Sequence, residues 1–192
     1  MSSTNSVAFK EWAVIVAALA QGVQSIILRK GGIQEGREGF RVDHDAFWLF
    51  PTFLHQRLES LTPAARPLWD RVVSPTRDES TIPLACFARV EQVVHLESED
   101  QAHSLAGQHL WTEETVIERF HYRRPGLFAI LVRTFALDAP HVIDDDPSFA
   151  GCRSWVPLPA ELSTEGLTPV ISDEVHSKRR QAFDGAFATR SR

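Results

Sequence analysis

Cysteine is scarce in this chain, and long apolar runs are missing. Only two of the 192 residues are cysteines, Cys86 and Cys152, and neither has CxxC spacing or histidines at metal-binding spacing. This argues against a zinc site and a disulfide framework, and it predicts reduced thiols. The longest apolar run, residues 12–20, is about half of the roughly 20 residues that a membrane helix needs. The sequence therefore predicts a cytoplasmic protein with no membrane partner.

The N-terminal residues superficially resemble a secretory signal. Lys10 precedes a short apolar segment that ends in the small-residue triplet 18–20. Glu11 beside that lysine and the lack of a separate cleavage region argue against secretion. We predict instead an amphipathic helix from Ser6 to about Gln21, in which Glu11 is an exposed acid.

Neither sign of charge dominates the composition. Acidic residues number 25 and basic residues 20, which gives a net charge of -5. The molecule as a whole therefore does not attract nucleic acid, and a site for a polyanion must be a local cationic patch. With 43% hydrophobic residues, the chain can bury the core of one domain or of two small packed halves.

Common catalytic motifs are also missing. The chain has no GxxxxGK[ST] phosphate loop, no GxSxG around Ser154 and no EF-hand spacing around the aspartates at 144–146. Neither Cys86 nor Cys152 has an adjacent base in the sequence, so nucleophilic catalysis is not indicated. We find no internal repeat.

The order of the predicted elements indicates an α+β fold. Strand patterns cover residues 23–30, 40–50, 82–96 and 127–137. Predicted helices begin after Ser6, Thr52, Thr112 and Ser172, and a further helix covers residues 63–73. The polar segment 74–81 marks a boundary between two halves, 1–75 and 76–192. We predict that each half is a small mixed sheet with flanking helices, and that the halves pack as one unit.

The stretch from Ser25 to Gln56 alternates apolar strands with glycines and concentrated charge. Arg29 and Lys30 leave the end of a strand, and Gly31-Gly32 must turn the chain. The backbone N–H groups of such a turn can form a nest for phosphate. An ordinary hairpin turn with solvated cations is the alternative.

A second cationic set lies further along the chain. It consists of Arg119, Arg123, Arg124 and Arg133, together with His121 and Tyr122. These residues would line a groove in which arginines hold phosphates and aromatic rings stack on bases. Salt bridges to Glu114 and Glu118 are the alternative for each arginine alone. Arg133 interrupts an apolar strand, so its guanidinium needs a carboxylate, carbonyl or phosphate partner. That partner belongs either to a structural ion pair or to a bound ligand.

We predict a ligand site where residues 29–35 meet residues 52–56. The candidate ligand-binding residues are Arg29, Lys30, Gly31, Gly32, Glu35, Thr52, His55, Gln56, Arg119, Arg133, Ser154 and Trp155. In this hypothesis Arg29, Lys30 and Arg119 hold a phosphate, and Trp155 or Tyr122 stacks a base. The partner would be nucleic acid or another phosphorylated ligand.

Two other functions stay open at this point. Glu35, Asp43 and Asp45 with Lys30 supply the residue types of a magnesium-dependent nuclease of restriction-endonuclease-like type. The acid-x-lysine triplet that such a site needs on one strand is missing. Apart from magnesium under this alternative, the sequence indicates no metal and no cofactor. The third alternative is a structural or protein-interaction module, and the oligomeric state is left open.

Several motifs resemble an uncharacterised bacterial family of domains of unknown function, family 1802. They are FKEWAV at 9–14, LRKGGIQE at 28–35, FWLFPTFLHQ at 47–56, RFHYRRP at 119–125 and GCRSW at 151–155. This resemblance implies a family and no activity. The second half also resembles PUA-like and ASCH-like RNA-binding modules in its order of elements, which implies a nucleic-acid partner.

Overall fold

Seven strands form a single mixed sheet in the computed structural model, which describes residues 3–30, 42–73, 78–151 and 153–188. The strands are β1 (Thr4–Trp12), β2 (Ile26–Arg29), β3 (Ala46–Thr52), β4 (Thr81–Leu96), β5 (Leu127–Asp144), β6 (Trp155–Ser163) and β7 (Thr168–Pro169). Their order is β2-β5-β4-β3-β1-β6, and β7 also pairs with β5. β1 and β3 run parallel, and the other pairs are antiparallel. The predicted α+β class is confirmed.

Five α-helices accompany the sheet in the described part of the chain. They are α1 (Ala13–Ala20), α2 (Arg66–Val72), α3 (Glu99–His103), α4 (Glu113–His121) and α5 (Asp173–Phe187). The predicted caps of α4 and α5 are confirmed, because Thr112 accepts a hydrogen bond from the backbone of Thr115, and Ser172 accepts one from Val175. Among the described residues, no helix has the length and apolar character needed to cross a membrane.

Both faces of the sheet are covered by apolar side chains. On β3, Phe47 and Leu49 belong to the larger core cluster, whereas Trp48 and Phe50 belong to a second cluster. Successive side chains of a strand point to opposite faces, so these clusters lie on the two sides of the sheet. Burial on both faces explains the uninterrupted apolar run 46–50.

The two edges of the sheet approach each other through a side-chain contact. β2 and β6 stand at opposite ends of the strand order, yet Nε and Nη2 of Arg29 lie 2.9 and 2.6 Å from Oγ of Ser154, just before β6. The sheet must therefore be strongly curled. Register shifts at 84/86 and 90/92, in the long β4–β5 pair, supply bends of the kind that bulges introduce. We call the Arg29–Ser154 contact the seam.

The helix predicted from Ser6 is wrong at its start, because residues 4–12 form β1. Phe9 and Trp12 have helical spacing, but the backbone here pairs with β3 on one side and β6 on the other. Non-local pairing overrides the local pattern, and α1 begins only at Ala13. Glu11 is consequently 3% exposed instead of lying on a helix surface.

The helix predicted after Thr52 is also wrong. Thr52 is the last residue of β3, and the next helical residues are the short 3₁₀ turn Leu58–Ser60. The backbone of Thr52 continues β3 beside Trp12 of β1. The Thr52 side chain consequently lines the cavity described below.

The division into two halves with separate sheets is not confirmed. β2 pairs with β5 and β3 pairs with β4, so strands from both sides of the predicted boundary join one sheet. The boundary itself, at residues 75 and 76, lies outside the described residues. A local composition shift such as that at 74–81 does not predict which distant strands pair.

Candidate functional site

A cavity of about 370 Å³ lies beside the seam, and we call it the cationic cavity. Its lining comes from β1, β2, the end of β3 and the turn after it, α4 and the segment before β6. The lining residues are Lys10, Glu11, Trp12, Leu28, Arg29, Lys30, Thr52, Leu54, His55, Arg119, Gly151 and Arg153. Because β1 and β3 run parallel, their carboxyl ends meet here, with Trp12 opposite Thr52. The volume is in the range of small-ligand sites.

Arg119 projects from α4 into this cavity against two indole rings. The carbon centre of its guanidinium lies 3.6 Å from the centroid of the Trp111 ring and 5.4 Å from that of Trp12. A cation over the face of an aromatic ring is attracted by the ring, and this contact uses none of the N–H donors of the guanidinium. None of the described residues accepts a hydrogen bond from the Arg119 guanidinium.

Burial lowers the pKa of Arg119 from its ordinary 12.5 to about 10. The carboxylate of Glu11 opposes this shift, while the positive charges of Arg29 and Arg57 add to it. The environment therefore disfavours the cation, although Arg119 stays charged at neutral pH. An anion bound in the cavity would compensate this charge.

Among the described residues that line the cavity, Glu11 is the acid. Its Oε1 accepts a hydrogen bond of 2.7 Å from the backbone N–H of Trp12, at the start of α1. A single carboxylate does not neutralise the surrounding cations. Those cations are Lys10, Arg29, Lys30, Arg119 and Arg153.

Arg29 is held rigidly at the seam. Ser154, which is fully buried, accepts its two short hydrogen bonds, and the guanidinium lies 5.1 Å from the centroid of the Phe9 ring. Nη1 is 3.4 Å from the backbone oxygen of Lys10. These contacts position the charge of Arg29 at the cavity wall while using part of its hydrogen-bonding capacity.

The ammonium group of Lys30 is occupied by backbone carbonyls. Nζ donates to the oxygens of Phe120 at 2.8 Å and Gly126 at 2.6 Å, and also to that of Arg124. Burial, with a smaller contribution from Arg124, lowers the pKa of Lys30. Lys30 thus binds the carboxyl end of α4, where a cation is favourable.

Replacement of Lys30 by methionine is expected to lower the free energy of unfolding by about 2 kcal/mol, since three carbonyls lose a charged donor. Thermal unfolding should then show a Tm about 4–8 °C lower. As a control, Lys178→Met removes only an exposed pair with Glu174 and should change stability by less than about 1 kcal/mol. An unchanged Tm for Lys30→Met, with weaker phosphate binding, would show that Lys30 is a ligand residue.

The structure brings together some of the other predicted residues. Thr52 and His55 line the cavity beside Arg29, Lys30 and Arg119. Gln56 is close in the chain, but its side-chain oxygen accepts a hydrogen bond from the backbone of Val14 at 3.1 Å, at the first turn of α1. Gly31, Gly32 and Glu35 lie outside the described residues.

Trp155 is partly buried and packs against the core. Its ring lies 4.8 Å from that of Phe9 and 5.0 Å from that of Phe47, both in edge-to-face geometry. Tyr122 is exposed and does not line the cavity. Trp12, by contrast, does line the cavity.

Arg133 lies in the middle of β5, apart from the cationic cavity. Its Nη2 donates to Oδ1 of Asp173 at 2.7 Å, and its side chain is 5% exposed. Of the two partners considered for Arg133, the structure supplies the internal carboxylate. This ion pair fixes the first turn of α5 against the sheet.

The structure does not favour the nuclease alternative. Asp43 and Asp45 are exposed in the segment before β3, and Glu35 falls in a range that the structure does not describe. Within the described ranges, no three His, Cys, Asp or Glu side chains come together as a metal-binding group. The amine of Lys30 is engaged by carbonyls.

Sequence reasoning missed several cavity residues. They are Lys10, Glu11, Trp12, Leu28, Leu54, Gly151 and Arg153. Because residues 6–21 were assigned to a helix, the polar pair Lys10-Glu11 had no reason to face a site. Assigning 4–12 to a strand that ends beside Thr52 would have identified that pair.

The chain belongs to the family described as "Domain of unknown function (DUF1802)", whose sequence profile matches residues 8–182. The matched range includes every residue that lines the cationic cavity. This confirms the family resemblance. No curated protein matches the chain in sequence.

Solved structures of an ASCH protein from Zymomonas mobilis are distantly similar. One is 12% identical and covers 92% of this chain and 93% of its own, with a TM-score of 0.44. A point mutant of that protein is 15% identical and covers 79% of this chain and 88% of its own, with a TM-score of 0.45. A second mutant is 15% identical, with coverages of 91% and 94% and a TM-score of 0.44.

Proposed function

We propose that this protein binds a phosphate-bearing ligand in the cationic cavity, and that the ligand is a nucleotide or nucleic-acid strand. The observation that carries this proposal is Arg119. Its guanidinium is partly buried, stacked on Trp111, and lacks a hydrogen-bond acceptor among the described residues. Leaving a buried charged donor without a partner is costly, and phosphate supplies two acceptor oxygens in the geometry that a guanidinium fork matches.

The cavity adds positive charge locally to a molecule of net charge -5. Arg29 is fixed at the cavity wall by Ser154, so it offers a positioned charge that needs no reorganisation on binding. Trp12 gives the wall an aromatic surface against which a neighbouring base of a strand can pack. Cationic and aromatic groups together favour a nucleotide over a free inorganic anion.

The test is a titration of labelled single- and double-stranded RNA and DNA at two salt concentrations. We expect salt-dependent binding to single strands, with a slope of log K against log salt of about -0.7 for each phosphate engaged. A small cavity engages few phosphates, so the slope should be shallow. Absence of binding up to about 10⁻⁴ M, the weak end of non-specific binding, would reject nucleic acid as the ligand.

The proposed location of the protein is the cytoplasm, as predicted from the sequence.

The thiol of Cys86 is buried, and burial raises its pKa to about 12, so this cysteine has no nucleophilic role.

A further inference from the structure

A second cavity, of about 410 Å³, adjoins the cationic cavity. The two cavities share Lys10, Thr52 and Leu54 in their walls. These shared residues place the two cavities side by side at the end of β3, and we call the pair the cleft. Arg119 lies in one end of this cleft only.

The other end of the cleft has a contrasting chemistry. Its walls carry aromatic rings and prolines together with two aspartates: Phe50, Pro51, Phe53, Pro147, Phe149, Asp145 and Asp146. The Phe50 and Phe149 rings pack edge to face at 5.5 Å, which fixes their orientation. Such walls suit a flat apolar group, whereas the acids repel a second phosphate.

The two aspartates are not equivalent. Oδ1 of Asp146 accepts a hydrogen bond of 2.7 Å from the backbone of Ser148 and so caps a 3₁₀ turn. The Asp145 carboxylate receives no hydrogen bond from any residue in the described ranges. The backbone N–H of Asp145 donates to Ser80 at 2.8 Å, which holds the residue at the end of β5. Asp145 is exposed at a held backbone position, so its carboxylate can accept a hydrogen bond from a ligand.

The boundary between the two ends has features of a contact surface. Leu54 is 66% exposed although its wall position joins both cavities. His55, the next residue, has a φ of 60°, which is uncommon for a side chain other than glycine. Strained backbone of this kind persists where the structure maintains it and concentrates at ligand sites.

We propose that the cleft binds one nucleotide unit whose base carries an amino group. The phosphate contacts Arg119, the sugar lies over Thr52 and Leu54, and the base lies against the aromatic walls with its amino group donating to Asp145. From one end to the other, the cleft offers an anion site, a mixed polar and apolar rim, and flat apolar walls with an acceptor. These features match, in that order, the phosphate, the sugar and the base of a nucleotide. This inference rests on the proposed function, because the phosphate end is the same site.

The test is calorimetric titration of the full chain with four compounds: inorganic phosphate, ribose 5-phosphate, AMP, and purine riboside 5′-monophosphate, which lacks the amino group of AMP. We expect AMP to bind about 10-fold or more tighter than ribose 5-phosphate, because the base gains stacking contacts. AMP should also bind about 5-fold or more tighter than purine riboside 5′-monophosphate, because only AMP donates to Asp145.

Two variants assign the contact. Asp145→Ala should reduce AMP binding to the level of purine riboside 5′-monophosphate and leave inorganic phosphate binding unchanged. Asp144→Ala, which removes a neighbouring exposed acid outside the cleft lining, should change neither. Circular dichroism of both variants checks that the fold is retained.

The possible failures are distinguishable. Equal affinities for AMP and ribose 5-phosphate would overturn the nucleotide inference and leave phosphate binding intact. AMP affinity that is unchanged by Asp145→Ala would overturn the amino contact. Absence of binding by every phosphorylated compound would overturn both this inference and the proposed function.

Discussion

Replacement of Arg119 by methionine is expected to weaken binding of inorganic phosphate and of single-stranded RNA by about 10- to 150-fold. Hydrogen bonds to charged groups contribute about 1.5–3 kcal/mol, and this variant removes a guanidinium that has no acceptor among the described residues. Methionine retains an apolar stem against Trp111. Calorimetry gives the affinities, and thermal unfolding gives the stability.

The stability of the Arg119→Met protein should be equal to or higher than that of the unchanged protein. Burial opposes the positive charge of Arg119, as its lowered pKa of about 10 indicates, so removing that charge relieves a desolvation cost. Arg119→Lys retains the charge without the planar fork and should bind with intermediate affinity. Arg124→Met, at an exposed position outside the cavity, is the matched control for loss of charge.

A contrary result for Arg119 would also be informative. If Arg119→Met lowered the Tm by 10 °C or so and left phosphate binding unchanged, Arg119 would be a structural residue. The proposed function would then lose its main support.

The second large effect concerns pH. The protein is expected to lose about 3 kcal/mol of stability through His109 as the pH falls from about 6.5 towards 4. Burial lowers the pKa of His109 from 6.5 to about 4, and the positive charge of Arg119 contributes in the same direction. Backbone groups of Trp111 and of His109 itself oppose this lowering of the pKa, but desolvation outweighs them. By ordinary hydrogen-bond geometry, neither ring nitrogen has a partner in the described part of the chain.

The direction of this effect follows from the pH at which the folded and the unfolded states each take up a proton on His109. Above pH 6.5 His109 is neutral in both states, and its contribution to stability is fully present. Below that pH the unfolded chain is protonated first, so unfolding is favoured increasingly until the folded protein also takes up the proton near pH 4. The contribution is therefore lost as the pH falls through this window.

Urea unfolding at intervals between pH 7.5 and pH 4.5 measures this dependence. A His109→Leu variant cannot take up the proton and should lose less stability over that range than the unchanged protein. His55→Asn removes an exposed imidazole, tolerates positive φ and should retain the full dependence. Parallel curves for the His109→Leu variant and the unchanged protein would show that His109 is not the group responsible.

Local sequence signals predicted the parts of the fold that local forces determine. Ser172 and Thr112 cap α5 and α4 as expected, because a serine or threonine hydroxyl satisfies backbone donors wherever a helix begins. Strands were also predicted at 82–96 and 127–137, where β4 and β5 lie, although β5 continues to Asp144 and the pairing of the two strands was not predicted. Non-local pairing was not predictable: β1 has a helical spacing of aromatics and becomes a strand because β3 and β6 flank it.

The candidate site was predicted only in part, because local signals do not show which distant residues come into contact. Arg29, Thr52 and Arg119 do line one cavity, although they are far apart in the sequence. The sequence identified the cationic residues but not the groups that accept their hydrogen bonds. Those acceptors decide whether a cation is structural or free to bind a ligand. Lys30 is engaged by carbonyls and Arg133 by Asp173, whereas Arg119 has no acceptor among the described residues.

The seam has a consequence for how this protein becomes competent to bind. Its two halves come from residues 29 and 154, and the cavity beside it also draws on residues 10–12, 52–55 and 119. Contacts between such distant positions require the chain to close large loops, which costs conformational entropy. No short fragment carries the site, and a ligand at 100 times its Kd would add about 2.7 kcal/mol to the stability of the entire sheet. Ligand would therefore be retained only by chains in which the sheet has closed.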